Sequence, residues 1–405
     1  MKKLLAIILA LTIVLSMAAC GGAAAPDATK NLDAPTVAQG GTSINAYGSV
    51  ITNYDSINDV DPAVKDSLPH FNVLVTYTQF TDKLGSQYKA CIEYICEQLN
   101  CTPTFVECGT TIGDEAISIL QSALVNDYDF CLGIGTSEGV LKVFEGAKVP
   151  YVSVGSILSD AASIEIARNY EYFLGCVGVD DYGAMAEGAR TLYELGCRNV
   201  VWNGLPLGLS GQHDQRLMGF EETAASLGMN LLTENMDYAA WADGISNAAA
   251  AYPELDGVGC TALAENIYNT VVNEGLQDKI KLCGIDITEG TGQSFEDGYL
   301  AYIAGGNYIC MQIGFAVCYN YVLDGTRIME DNGTNLLWNN IHIHNTEEFN
   351  NYVKYLDSGV PGYTAQEILE MTHWYNNDFT PDDLIALGQA FTMEDVMARH
   401  ADLVQ

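Results

Sequence analysis

Basic residues are scarce in this sequence. The 405-residue chain has 17 Lys and Arg against 52 Asp and Glu, a formal net charge of −35. Such a surface repels phosphate backbones and anionic lipid headgroups, which excludes nucleic-acid binding and electrostatic docking on a membrane. Its plain effect is solubility. Histidine is also rare, with six in the chain. There is no CxxC pair, no HExxH, no GxxxxGK[ST] and no intact GxGxxG. Zinc knuckles, thioredoxin-like redox chemistry and phosphate-binding loops are therefore unsupported. Gly133 and Gly135 begin a glycine pattern whose third member, Gly139, falls one residue late; it reads as a tight strand-to-helix turn. His342 and His344 alternate on one strand face, a spacing that suits two metal ligands, but no third ligand accompanies them. His213 has no Ser or Cys nucleophile in a recognisable context, so it is not read as a general base. No metal and no cofactor is implied, and the chain is read as a non-enzyme.

What is present begins at the N-terminus. Lys2 and Lys3 precede a short apolar run and then small residues ending at Cys20. These are the three regions of a secretory signal peptide, residues 1–20. The Cys after Met17-Ala18-Ala19 resembles the bacterial lipobox, in which that Cys becomes the lipid anchor. The expected location is then the outer face of a cell membrane, by lipid. The other eleven of the 12 cysteines are scattered, mostly in apolar contexts, and read as small core residues.

Residues 21–70 are polar and weakly periodic, which reads as a flexible tether. From Phe71 onward, short runs rich in Val, Ile and Leu alternate with amphipathic stretches such as 88–99, 114–124 and 262–274. That alternation means βαβ units and parallel sheets. More than eight strands is large for one sheet, so two doubly wound α/β lobes are expected. In such lobes ligands sit beyond the carboxyl ends of the strands.

Four segments, taken in order, resemble the type 1 periplasmic binding proteins, the sugar-type solute receptors of ABC transporters. They are the stretch 177–204, with Asp180 and Asp181 opening a helix that ends at Gly196; 215–232, with Arg216-x-x-Gly219-Phe220; 280–288, ending a strand in Gly284-Ile285-Asp286; and 340–352. The resemblance implies two Rossmann-like lobes joined by a three-crossing hinge. Lobe one is expected over 71–179 with 306–335, and lobe two over 180–305 with 336–355. Asp180 is expected at the first crossing and Asp181 as the helix cap. The implied function is capture of a small polar ligand, a sugar or polyol, for an ABC permease. A nucleoside is the rival ligand, and a receptor that signals to a membrane kinase is the rival role.

By the same resemblance Arg216 and Asp286 are ligand contacts, a guanidinium fork and a carboxylate suited to hydroxyls. Trp241 stands where an aromatic stacks on a ring. Thr261 and Asn307 match polar positions more loosely. Thr136 lies in the turn after one strand, and Tyr77, Gln79 and Phe80 follow the first strand, where ring and amide contacts sit. Gly155 and Ser156 replace an Asp-Arg pair common among pentose and hexose receptors, and Asp82 and Lys83 displace the usual aromatic pair. The chain thus departs from a plain ribose-like site. Residues 356–405 exceed the usual length. Thr364, Thr380 and Thr392 each precede an acid by three residues, and Pro381 suits a first helical position, so a small helical C-terminal extension is expected.

Overall fold

The computed structural model describes residues 60–109, 114–158, 160–237, 240–329, 335–357 and 361–401, and three short strands before them. Those strands, β1 (Val37–Ala38), β2 (Thr42–Ile44) and β3 (Val50–Thr52), pair as an antiparallel sheet within the stretch read as a tether. The signal peptide and Cys20 lie outside the described residues.

Two six-stranded sheets follow. The first contains β4 (Phe71–Tyr77), β5 (Cys101–Glu107), β6 (Phe130–Gly133), β7 (Tyr151–Val154) and β8 (Phe173–Val179), completed by β14 (Asn335–Trp338). Its order is β14-β8-β7-β6-β4-β5, parallel throughout. The second contains β9 (Asn199–Asn203), β10 (Asn230–Asn235), β11 (Gly257–Cys260), β12 (Lys281–Ile285) and β13 (Leu300–Gly305), with β15 (Ile341–Ile343) at one edge. Its order is β10-β9-β11-β12-β13-β15, and only β15 runs antiparallel. The inner strands β6, β7, β8, β11 and β13 are buried along their whole length. Burial on both faces is why they read as unbroken apolar runs rather than alternating ones. The chain therefore folds as two doubly wound α/β lobes.

The lobes exchange chain at three points between elements. β8 leads through Asp180 into a helix of the second lobe, Asp181–Glu194. β13 leads through residues 306–308 back to a helix, Ile309–Asp324, that lies on the first sheet and is buried from Ile309 to Asn320. The third crossing comes later than 335/336. β14 pairs with β8 through Trp338, and the Asp180 N–H donates to the Trp338 carbonyl at 2.9 Å. The chain then passes at Asn339–Asn340 into β15. A four-residue strand carries no local mark of which sheet it joins, so only the pairing places it.

The C-terminal stretch adds a fourth passage. The helix Thr346–Tyr355 packs on the second lobe, against the helix Thr291–Glu296. The next helix, Ala365–Glu370, sits on the first lobe. Gln312 Nε2 donates to the Tyr363 carbonyl at 2.9 Å, and the Ala365 N–H donates to Tyr94 Oη at 3.1 Å. Pro381–Ala390 then packs on β14, and Met393–Arg399 returns to Thr346–Tyr355. Thr364 and Thr380 form capping boxes with Glu367 and Asp383, and Thr392 accepts from the Asp395 N–H. The eleven cysteines among the described residues are unpaired, and all but Cys101 are buried.

Candidate ligand cleft

The carboxyl ends of both sheets face each other across the crossings, and two adjoining cavities lie between them. The first, about 170 Å³, draws Tyr77, Tyr88, Gly155 and Ile157 from one lobe and Asp181, His213, Arg216 and Asp286 from the other. The second, about 330 Å³, lies beside it. Tyr77, Leu84, Asp286 and Asn307 line both.

Arg216 sits on the helix Gly211–Ser226 and is 3% exposed. Its Nε donates to Asp181 Oδ1 at 2.6 Å, and its Nη1 donates to the Thr261 carbonyl at 2.8 Å. Asp181 is the first residue of its helix and is 4% exposed. Burial pushes its pKa up to about 6 although Arg216 pulls the other way, and nearby Asp286 and Asp180 add to the rise. Asp286 follows β12 with φ of 74°, a left-handed conformation uncommon for a residue with a side chain. Its Oδ1 accepts from Asn307 Nδ2 at 3.0 Å, and burial raises its pKa despite Arg216. His213 Nδ1 lies 2.7 Å from Thr261 Oγ1. Burial, then the Arg216 charge, drive its pKa down to about 2, so the ring is neutral. The site thus combines a guanidinium, two carboxylates, an amide and a neutral imidazole.

The structure brings Tyr77, Arg216, Asp286 and Asn307 to the first cavity. Thr261 is fully buried behind it, holding Arg216 through its carbonyl and His213 through its hydroxyl. Gln79 is exposed and donates to Asp82 Oδ2 at 3.1 Å. Phe80 packs edge-on against Phe105, centroids 5.1 Å apart. Neither Gln79, Phe80 nor Thr136 lines either cavity.

Two expectations are corrected. Trp241 does not face the cleft. It is buried at the start of the helix Trp241–Ala251, with Nε1 donating to the Gly204 carbonyl at 2.9 Å. An indole satisfied by a backbone carbonyl serves as core. The cap of Asp181–Glu194 is Asp180, whose Oδ1 accepts from the Gly183 N–H at 2.9 Å; Asp181 is inside the helix and bound to Arg216. Asp180 also ties two crossings together, since Asn340 Nδ2 donates to its carbonyl at 3.0 Å.

Asp181, His213 and Tyr88 line the first cavity without having been singled out as ligand contacts. Only Tyr88 had a usable signal, its place on an apolar helix face near the first strand. His342 and His344 both lie beside the Tyr302 ring but engage different partners. His342 Nδ1 meets Tyr302 Oη at 2.6 Å, whereas His344 meets Glu348 and Glu187 at 2.9 and 3.3 Å. Among the described residues no group of three His, Cys, Asp or Glu could hold a metal ion.

No family model and no curated protein sequence matches the chain. Solved structures do. An ABC transporter periplasmic solute-binding protein from Actinobacillus succinogenes 130z, with bound D-allose, superposes with a TM-score of 0.61 at 14% identity, covering 69% of this chain and 99% of that one. A carbohydrate transporter from Acidothermus cellulolyticus 11B, in complex with myo-inositol, gives 0.59 at 15%, covering 72% and 100%. A glucose-galactose binding protein from Geobacillus stearothermophilus gives 0.56 at 15%, covering 68% and 98%. The chain has the type 1 periplasmic binding protein fold. In that fold the cavities described here occupy the interlobe cleft.

Proposed function

We propose that the chain is a solute receptor of an ABC importer that captures a sugar or similar polyol between its lobes. The observation that carries this reading is the set of buried Arg216 and Asp181 with half-buried Asp286 and Asn307, drawn together where both lobes meet. Fixed charged donors and acceptors suit a ligand whose hydroxyls both donate and accept. The solved neighbours include proteins holding sugars and inositol in this fold. Contacts from both lobes that form only on closure would shift the open–closed balance toward the closed form. Cys310 lines the cavity, but burial pushes its thiol up, so it is protonated and a poor nucleophile. That supports binding rather than turnover. The signal peptide and Cys20 support a lipid anchor on the outer face of the membrane.

A thermal-shift panel of sugars, polyols, nucleosides and amino acids tests the ligand class, because a ligand that binds only the folded state raises the melting temperature. A sugar or polyol is expected to shift it, and Asp286→Asn to weaken that ligand by about tenfold or more. A response confined to nucleosides or amino acids would sink the sugar reading. Consumption of the ligand during the assay would show an enzyme instead. Release of Cys20→Ser from the cell surface into the medium is the expected result for the anchor.

A further inference from the structure

The two halves of the cleft differ in chemistry. In the first, polar groups converge. In the second, the charged groups and the Gln87 amide already have partners. Lys83 Nζ is 2.6 Å from Asp357 Oδ2, and Gln87 Nε2 donates to Asp357 Oδ1 at 2.8 Å. Asp82 caps its own helix through the Gly85 N–H, and Glu265 accepts from the Gly290 N–H at 3.0 Å. Tyr352 Oη accepts from the Gly306 N–H at 3.1 Å. What remains on the walls is largely apolar, with Leu84, Ala262 and Ile287 from three separate elements. Two buried polar atoms on these walls, Asn307 Oδ1 and Thr288 Oγ1, have no partner.

The second cavity is also nearly twice the volume of the first, about 330 against 170 Å³. A ring seated among Arg216, Asp181 and Asp286 would leave it untouched. Its shared walls, Tyr77, Leu84, Asp286 and Asn307, make the two halves continuous. Ligand sites are mostly apolar with a few placed polar groups, and the two halves together meet that description where neither does alone.

We propose that the second cavity is a subsite for an uncharged, weakly polar substituent, so that the preferred ligand is a substituted sugar, a small glycoside, rather than the free monosaccharide. Anionic substituents are disfavoured by Asp82 and Glu265 beside it and by the acidity of the whole chain. The inference rests on the sugar-receptor reading above.

Isothermal titration of the full mature chain with matched sets tests it: a free sugar, its methyl glycoside, its phenyl glycoside and its uronate. The methyl or phenyl glycoside is expected to bind about tenfold tighter than its parent sugar, with the uronate weakest. In Ala262→Trp, which fills the subsite, the advantage of glycoside over parent should fall to about twofold or less. Ala264→Trp repeats the test from a neighbouring wall residue, should Ala262→Trp melt below the assay temperature. If the free sugar binds as tightly as every glycoside, the subsite is refuted and the receptor reading stands. If the glycoside advantage survives in a folded Trp variant, the placement is wrong. If no sugar or glycoside binds, the receptor reading itself falls.

Discussion

Asp181 and His213 titrate in opposite senses within one cavity. The Asp181 carboxyl, raised to about 6 in the fold from 3.8, keeps a proton that the unfolded chain has already lost. Its contribution to stability therefore falls as pH rises from about 4 to about 6. His213, lowered from 6.5 to about 2, cannot take the proton that the unfolded chain accepts. Its contribution is lost as pH falls below about 6.5. Arg216, Asp286 and Asp180 are the charges that act on the pair. In His213→Gln only the Asp181 slope remains. Urea titrations at pH 5 and pH 7 should show this variant gaining on the wild type toward acid, and a constant difference would refute the assignment. Arg216→Met should destabilise by about 3–5 kcal/mol at pH 7, because it strands a buried carboxylate. The loss should shrink near pH 4.5, where Asp181 is protonated, and in the double variant Arg216→Met/Asp181→Asn.

At the scale of elements, the position of Arg216 depends on how closely two helices approach. A Cβ on Gly219 would fall 2.1 Å from the Tyr182 carbonyl oxygen, so the helices Asp181–Glu194 and Gly211–Ser226 touch backbone to backbone there. Gly219→Ala must push them apart. A cost of about 1–3 kcal/mol is expected in chemical denaturation. A weaker ligand response should accompany it, since Arg216 moves with its helix. Asp180→Ala should cost about 1 kcal/mol through the lost cap alone.

These elements also show what the sequence could disclose. Strands buried on both faces announced themselves as apolar runs, and Thr364 and Thr380 announced helix starts, because the chemistry is complete within four residues. The Asp180-Asp181 pair marked a helix start, but its division of labour depends on Arg216, 35 residues away. Trp241 misled because its partner is the Gly204 carbonyl, a distant backbone atom. Asp286 and Arg216 were legible only through the resemblance of their motifs to a known family, and the Asp357 contacts with Lys83 and Gln87 left no local trace at all.

At the scale of the molecule, Leu356 and Asp357 bind the lobes to each other beyond the three crossings. Tyr308 Oη donates to the Leu356 carbonyl at 3.0 Å, and Asp357 is buried against Lys83 and Gln87 of the first lobe. Farther on, the Asn339 N–H donates to the Gly388 carbonyl at 3.1 Å, so the extension also grips the third crossing. Asp357→Ala should widen the range of interlobe distances seen by single-molecule energy transfer without ligand, and an unchanged distribution would show that the Asp357 contacts restrain nothing. A joint on so short a leash samples fewer open geometries, and closing it forfeits less conformational entropy. A ligand with few contacts could then still hold it shut. Part of the affinity would reside in a segment that no ligand atom touches.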